Sequence, residues 1–294
     1  MAQKPDAQLK LNETELDALM RVIKPKLFRH MTENTGPYRS RTLINGGNNY
    51  AGFREYVPGD EVRTINWRAS ARSRQFQVRQ QQQEKSGRWY ICLDASASMG
   101  LPGPDKWRLA RQIAEAFAYI LLTCGHQLGL VVFSDKVHDY YPLGVSRIQY
   151  KKIHQVLLNA SPEAQGGDSL LHTCMPFIKQ QASVIVISDF LQTDLLKHGL
   201  DKIRKAGHFI HALRILAENE TNLAATGTLV LADVETNNTL QVEATERTDQ
   251  RAEAILRQQN KELAAYCQEH RFNYSFATSD LHWKSVILNH VSHL

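Results

Sequence analysis

The stretch Trp89–Gly100, WYICLDASASMG, decides the fold. An apolar run of strand character ends in a carboxylate, Asp94. Two hydroxyls follow at alternate positions, Ser96 and Ser98, each behind an alanine. Alternate residues of an extended segment point the same way, so Asp94, Ser96 and Ser98 converge on one point while the alanines keep the loop thin. In an open α/β sheet such a loop, at the carboxyl end of a strand, is where ligands bind.

Outward from this stretch the rhythm is regular. A helix is expected from about Asp105, with Leu109, Ile113, Phe117, Ile120 and Cys124 at steps of three or four and Gly125 as its stop. LGLVVFS reads as a second buried strand and KVHDYYPL as its exposed neighbour. SRIQYKKIHQVLLN is a helix with Ser146 as N-cap, and LLHTCMPFIKQQ a further helix. SVIVISD, the most apolar strand, precedes helix TDLLKHGLDKIRKAG and strand HFIHALRI. Strand FNYSFAT and a short helix close the chain. Continuous apolar strands alternating with helices predict an α/β domain, with a mostly parallel central sheet covered by helices on both faces. GTLVLADVETNNTLQVEA breaks the alternation and reads as a β-hairpin insertion at about 227–244, followed by a long helix.

The first 86 residues differ. ETELDALMRVIKPKLFRH has helical spacing interrupted by Pro25, and residues 38–83 are rich in turn residues, with RQFQVRQ alternating as a strand does. Two domains are therefore expected: 1–86, a helix and a β-rich region, and 87–294, the α/β domain. Trp67 is expected as a buried packing anchor between them.

Composition is ordinary for a globular chain of 294 residues, 43% hydrophobic and 22% charged, and a net charge of +5 does not by itself argue for nucleic acid. The four cysteines are scattered, which predicts reduced thiols rather than a disulfide frame or a zinc site. The polar N-terminus is no signal peptide, and no apolar run has the length of a membrane span, so a cytoplasmic location is expected. No internal repeat and no G-x-x-x-x-G-K-[ST] phosphate loop occurs.

Two more loops at strand ends carry oxygen donors: Gly166-Gly167-Asp168-Ser169 and Ser188-Asp189. With Asp94, Ser96 and Ser98 they form an oxygen-only set, without a neighbouring histidine or thiol. That chemistry suits a hard cation, Mg²⁺ above all, with Mn²⁺ or Ca²⁺ as alternatives. Asp168 reads equally as a cap of the helix that follows, and for Asp189 capping is the alternative to the metal.

LDASASM resembles the D-x-S-x-S motif of von Willebrand factor type A domains, the metal-ion-dependent adhesion site; GGDSL resembles its second loop and VISDF its third. Upstream, FREYVPGDEVRTINWRASARSRQFQVR resembles the signature of bacterial domain-of-unknown-function family 58, and the LVLADVETNNTLQV hairpin that family's late insertion. The resemblance implies a metal site of Asp94, Ser96, Ser98, Asp168 and Asp189. It also implies a non-enzymatic adaptor or chaperone-like partner of a MoxR-type AAA+ ATPase, gripping an acidic residue of another protein through the metal. The chain departs from the family where Asp168 stands in place of the usual threonine, with Ser169 next to supply a hydroxyl, and in lacking the N-terminal membrane helices many members carry.

Two other function classes stay open at this point. A Mg²⁺-dependent phosphohydrolase with Asp94 as nucleophile would normally have a second aspartate two residues on, where this chain has Ser96. A nucleic-acid binder would use Arg63, Arg68, Arg72, Arg74 and Arg79, which could equally pair with local acids such as Asp60 and Glu61.

Overall fold

The computed structural model describes residues 11–34, 50–58, 62, 65–73, 75–81, 87–162, 169–221, 227–232, 239–244 and 246–292. The chain divides into two compact units. One comprises 1–36 and 87–294, the other 37–86.

The larger unit begins with α1 (Glu13–Asn34), which runs through Pro25 without ending. Asn12 caps it, its side-chain oxygen accepting the Thr14 N–H at 3.0 Å. The sequence grouped this helix with residues 38–83. Instead its buried Leu16, Leu19 and Ile23 join the core of the larger unit, and Tyr119 donates to Asp17 at 2.7 Å.

In the smaller unit, β1 (Tyr50–Glu55) pairs antiparallel with β2 (Gln77–Gln81). Between them lies α2 (Trp67–Ser73), a helix the turn-rich sequence did not announce. The Asn66 side chain accepts from the N–H groups of Arg68 and Ala69, and the buried Ser70 hydroxyl accepts the Gln77 N–H at 2.8 Å, tying helix to strand. Trp67 is not buried as expected. It is 62% exposed and meets the Phe76 ring edge-on.

The chain returns to the larger unit with β3 (Arg88–Asp94), a 3₁₀ turn (Ala97–Gly100) and α3 (Pro104–Thr123). Gly125 ends α3 at φ +81°, the left-handed conformation that glycine adopts without strain. There follow β4 (Gln127–Phe133), β5 (Val137–Gly144) and α4 (Arg147–Asn159). Ser146 precedes α4 at φ +103° and makes no side-chain cap, contrary to the sequence reading. The expected helix after the second loop is a 3₁₀ segment, Leu171–Phe177, with Pro176 inside it. Then come β6 (Ser183–Ser188), α5 (Thr193–Lys205), β7 (Phe209–Leu216) and the single turn α6 (Glu218–Thr221). The insertion forms β8 (Gly227–Ala232) and β9 (Thr239–Ala244), paired antiparallel, and its Asn237-Asn238 turn lies outside the described residues. Helix α7 (Glu246–Glu269), β10 (Asn273–Thr278) and α8 (Trp283–Ser292) complete the unit.

The central sheet has the order β10-β7-β6-β3-β4-β5, and every pair is parallel except β4–β5. It is the mostly parallel, doubly covered sheet expected from sequence. On one face Trp89, Ile91, Leu93, Ile185 and Leu213 pack against α1, α3, α4 and α8. On the other, Tyr90, Cys92, Val184, Val186 and Ala212 pack against α5, α7 and the 3₁₀ segment. All four cysteines are buried, and none forms a disulfide. The chain order reverses between β3 and β6, so the loops after these adjacent strands lead away in opposite directions and leave a crevice at their carboxyl ends.

The amino ends of the strands bury a second polar group. The Gly87 N–H donates to His126 Nδ1 at 3.1 Å, Trp89 stacks at a tilt on His211 with centroids 5.2 Å apart, and Ser275 Oγ bonds His290 Nδ1 at 2.7 Å. Among the described residues no helix is long and apolar enough to cross a membrane.

Candidate metal centre at the strand ends

Asp94 ends β3 and is completely buried. Its Oδ2 accepts two hydroxyls at 2.6 Å, from Ser169 and from Ser188. Its Oδ1 accepts the Ser96 N–H at 2.9 Å, the side-chain turn that carries the chain into the 3₁₀ segment. The Ser96 and Ser98 hydroxyls lie 3.1 Å apart, so the two alternate serines do converge. Three separate loops thus meet at one carboxylate.

Each loop is anchored by neighbouring backbone. Ala95 N–H donates to Phe133 O at 2.7 Å, and Leu170 N–H to Ser134 O at 2.9 Å. Ser169 is further held by its own N–H, which donates to Gln192 Oε1 at 3.2 Å. The residues that follow depend on Gly199 of α5. A Cβ there would stand 2.7 Å from the Leu171 Cβ, so only glycine lets the 3₁₀ segment lie this close to α5.

The hydroxyls and the N–H on Asp94 are all neutral donors, and among the described residues no ammonium or guanidinium lies within ion-pair distance of it. Burial raises its pKa to about 6, and the nearby charge of Asp189 adds to the rise; the hydrogen bonds from Ser169, Ser188 and Ser96 oppose it.

Asp189 is treated differently. Its Oδ2 pairs with Lys106 at 3.1 Å and its Oδ1 accepts the Leu191 N–H at 3.3 Å. Lys106 is fully buried in the first turn of α3, the end at which the helix dipole disfavours a cation. It is held there by two carboxylates, Asp189 and, at 2.9 Å, Glu220 of α6. Glu220 in turn accepts the Ala217 N–H at 2.6 Å. Arg214, 1% exposed on β7, donates from Nε to the Asp189 carbonyl at 2.9 Å, and its guanidinium lies beside the Tyr274 side chain. The loop is tight enough to hold Phe190 at φ +53°.

The structure therefore brings Asp94, Ser96, Ser98 and Asp189 together as the sequence suggested. It adds Ser169 and Ser188 as direct partners of Asp94. Asp168 lies outside the described residues. Sequence reasoning missed Lys106 and Arg214, whose signal was charge inside apolar patterns, and Glu220, one acid in the polar stretch ENET. No three His, Cys, Asp or Glu side chains cluster as a metal site among the described residues. The oxygens on offer are one carboxylate and four hydroxyls, with a second carboxylate committed to lysine. That donor set is hard and fits a divalent ion that keeps part of its water shell. Asp94, Ser96 and Ser98 would hold it.

The family signature matches over residues 52–262, most of the chain. The protein belongs to the family described as protein of unknown function DUF58. Uncharacterized proteins of Mycobacterium tuberculosis and Mycobacterium bovis are 26% identical to this DUF58 chain over 193 residues, which cover 62% of it and 59% of each relative. The match thus spans less than two thirds of those relatives' length. Among solved structures, BatB of Bacteroides thetaiotaomicron is 14% identical with a TM-score of 0.42, over 70% of this chain and 98% of BatB. The pilus adhesin SpaC of Lactobacillus rhamnosus GG is 16% identical with a TM-score of 0.46, over 72% of this chain and 31% of SpaC. Proximal thread matrix protein 1 of the mussel byssus, in a form with a zinc-occupied metal-ion-dependent adhesion site, is 19% identical with a TM-score of 0.36, over 44% of this chain and 36% of that one.

Proposed function

We propose that this DUF58 protein is a cytoplasmic binding module, not an enzyme, that takes a divalent cation at Asp94, Ser96 and Ser98 and through it holds a carboxylate of another protein. The observation that carries the reading is Asp94 itself: a buried carboxylate at the sheet's crevice, satisfied among the described residues by neutral donors. Its surroundings set the sign of the interaction. Among the described residues, Asp94, Asp189 and Glu220 oppose Lys106 and Arg214, a formal excess of one negative charge. A divalent cation turns this into an excess of one positive charge. An incoming Asp or Glu answers that charge with the hard oxygen such ions prefer. A binding role, rather than phosphoryl transfer, is supported by Ser96, whose hydroxyl stands where a second catalytic aspartate would be needed.

The resemblance to MoxR-associated proteins names the partner to try first, a MoxR-type AAA+ ATPase or its client. Titration calorimetry with Mg²⁺ tests the ion: wild type should bind, and Asp94→Ala should not. Co-purification of both proteins with the ATPase, each with and without EDTA, tests the partner. Undiminished Mg²⁺ affinity in Asp94→Ala refutes the site. Equal recovery under all four conditions removes the ion from the partnership.

A further inference from the structure

The charge of this chain is unevenly placed. Residues 37–86 hold nine of its 35 basic side chains and four of its 30 acidic ones, which leaves 26 of each elsewhere. The whole excess of +5 therefore belongs to the smaller unit, and eight of its nine basic side chains are arginines.

Two of these arginines share a helix face with an exposed aromatic ring. At about 100° per residue, Trp67, Ala71, Arg68 and Arg72 follow one another around a single arc of α2. All four are exposed, whereas Ser70 on the opposite side is buried against β2. The aromatic surface continues past the helix. Phe76 is 57% exposed and takes Trp67 edge-on at 6.0 Å and Tyr56 edge-on at 6.3 Å. The Tyr56 N–H bonds the Phe76 carbonyl at 2.8 Å, which sets Val57, also exposed, beside the pair. Val62, equally exposed, is tied by its carbonyl to the Ile65 N–H just before the helix. Single exposed apolar side chains are ordinary, but several gathered within one small basic unit mark an interaction surface.

We propose that this surface docks an acidic protein segment, one that lays an aliphatic or aromatic side chain on Trp67 and Phe76 and sets carboxylates on Arg68 and Arg72. Charge complementarity chooses the sign of the partner, and the guanidinium fork suits a carboxylate bidentately. The valines choose its class. Val57 and Val62 offer nothing to a phosphate, and they add apolar surface that suits a peptide side chain. Tryptophan and arginine are also the residues that dominate protein–protein binding energy. The surface needs no metal, so its test is separate from that of the Asp94 site.

The test uses the full chain in EDTA and fluorescence anisotropy of a labelled peptide, Asp-Glu-Phe-Glu-Asp-Leu-Glu-Glu. Its controls replace all acids by amides, or Phe and Leu by Ser, and a labelled single-stranded oligo-dT is measured alongside. The acidic, apolar peptide should bind saturably, and each control peptide at least about tenfold more weakly. Trp67→Ala, Phe76→Ser and the double Arg68→Glu/Arg72→Glu variant should each lose about tenfold or more, with melting temperatures near that of wild type. Asp94→Ala should bind as wild type does. No binding, binding indifferent to the Trp67 and arginine variants, or tight binding of oligo-dT in place of the peptide would each overturn the proposal.

Discussion

At the carboxyl ends of β3 and β6 the sheet buries Asp94, Asp189 and Lys106; at the amino ends of β3, β4, β7 and β10 it buries Trp89, His126, His211, Ser275 and His290. Both groups lie at strand ends of the same sheet, and β3 reaches both. The amino-end group is built from side chains that can stay neutral, and it satisfies much of its polarity internally, as in the Ser275–His290 and Gly87–His126 hydrogen bonds. The carboxyl-end group carries formal charges that do not balance among the described residues. Burying neutral, bonded groups is inexpensive, whereas a buried charge is costly unless paired. On the function proposed above, the carboxyl end tolerates the second situation because an ion and its partner would complete it.

The contrast can be broken most directly at Lys106. Lys106→Ala leaves Asp189 and Glu220 facing a cavity without their ammonium, and should cost about 3–5 kcal/mol in urea unfolding at pH 7. A loss below about 1 kcal/mol would mean that the carboxyl end is no more strained than the amino end.

A smaller effect separates the two ends by pH. Burial, aided by the positive charge of Lys24, lowers the His126 pKa to about 4. The unfolded chain takes up this proton below about pH 6.5, while the folded chain refuses it until about pH 4. Stability from this group is thus complete above pH 6.5 and falls as the pH is lowered through that window. At pH 5 the loss is about 2 kcal/mol. His126→Asn, which retains an acceptor for Gly87, should flatten the curve; an unchanged slope would show that His126 is already charged in the fold.

Asp94 has the opposite sign. Its raised pKa means that ionisation between about pH 4 and 6 weakens the metal-free fold. Asp94→Asn should therefore stabilise the protein in EDTA at pH 7, by on the order of 1 kcal/mol, and the gain should vanish near pH 4. With Mg²⁺ the order should reverse, because only wild type gains binding energy from the ion. An asparagine variant less stable than wild type in EDTA would remove the strain from the argument.

The smallest expected effect is at Ser98. It is only partly buried, and Ser98→Ala should leave urea stability within about 0.5 kcal/mol while weakening Mg²⁺ several-fold by calorimetry. Unchanged affinity would confine the ion to Asp94 and Ser96.

How legible these groups were depends on how local their signal is. Asp94, Ser96 and Ser98 could be read because a strand and the loop leaving it set their directions within five residues. The strands themselves were legible for the same reason, through runs such as SVIVISD, whose burial on both faces needs no distant context. Lys106 looked like one more polar position on a helix. Its partners lie 83 and 114 residues away, and nothing in their spacing ties them together. Trp67 misled in another way. A lone tryptophan among polar residues is ordinarily read as a packing anchor, and only the register of α2 against β2 shows that Ser70 holds the inward place and Trp67 the outward one. The 3₁₀ segment at Leu171–Phe177 was read as a full helix because its apolar spacing fits both; Pro176 was the available warning.

The packing of α1 has a consequence in time. Leu16, Leu19 and Ile23 share their cluster with residues of α3 and of α8, the last helix of the chain, among them Val286, Ile287 and Val291. Helix α1 emerges well before α8 and thus waits for it before its apolar face can be fully covered. At about 5–20 residues per second the wait is on the order of 15–50 s. Through that interval an amphipathic helix stands ready for whatever binds nascent apolar surface, and a chain cut short before α8 would present the same face permanently.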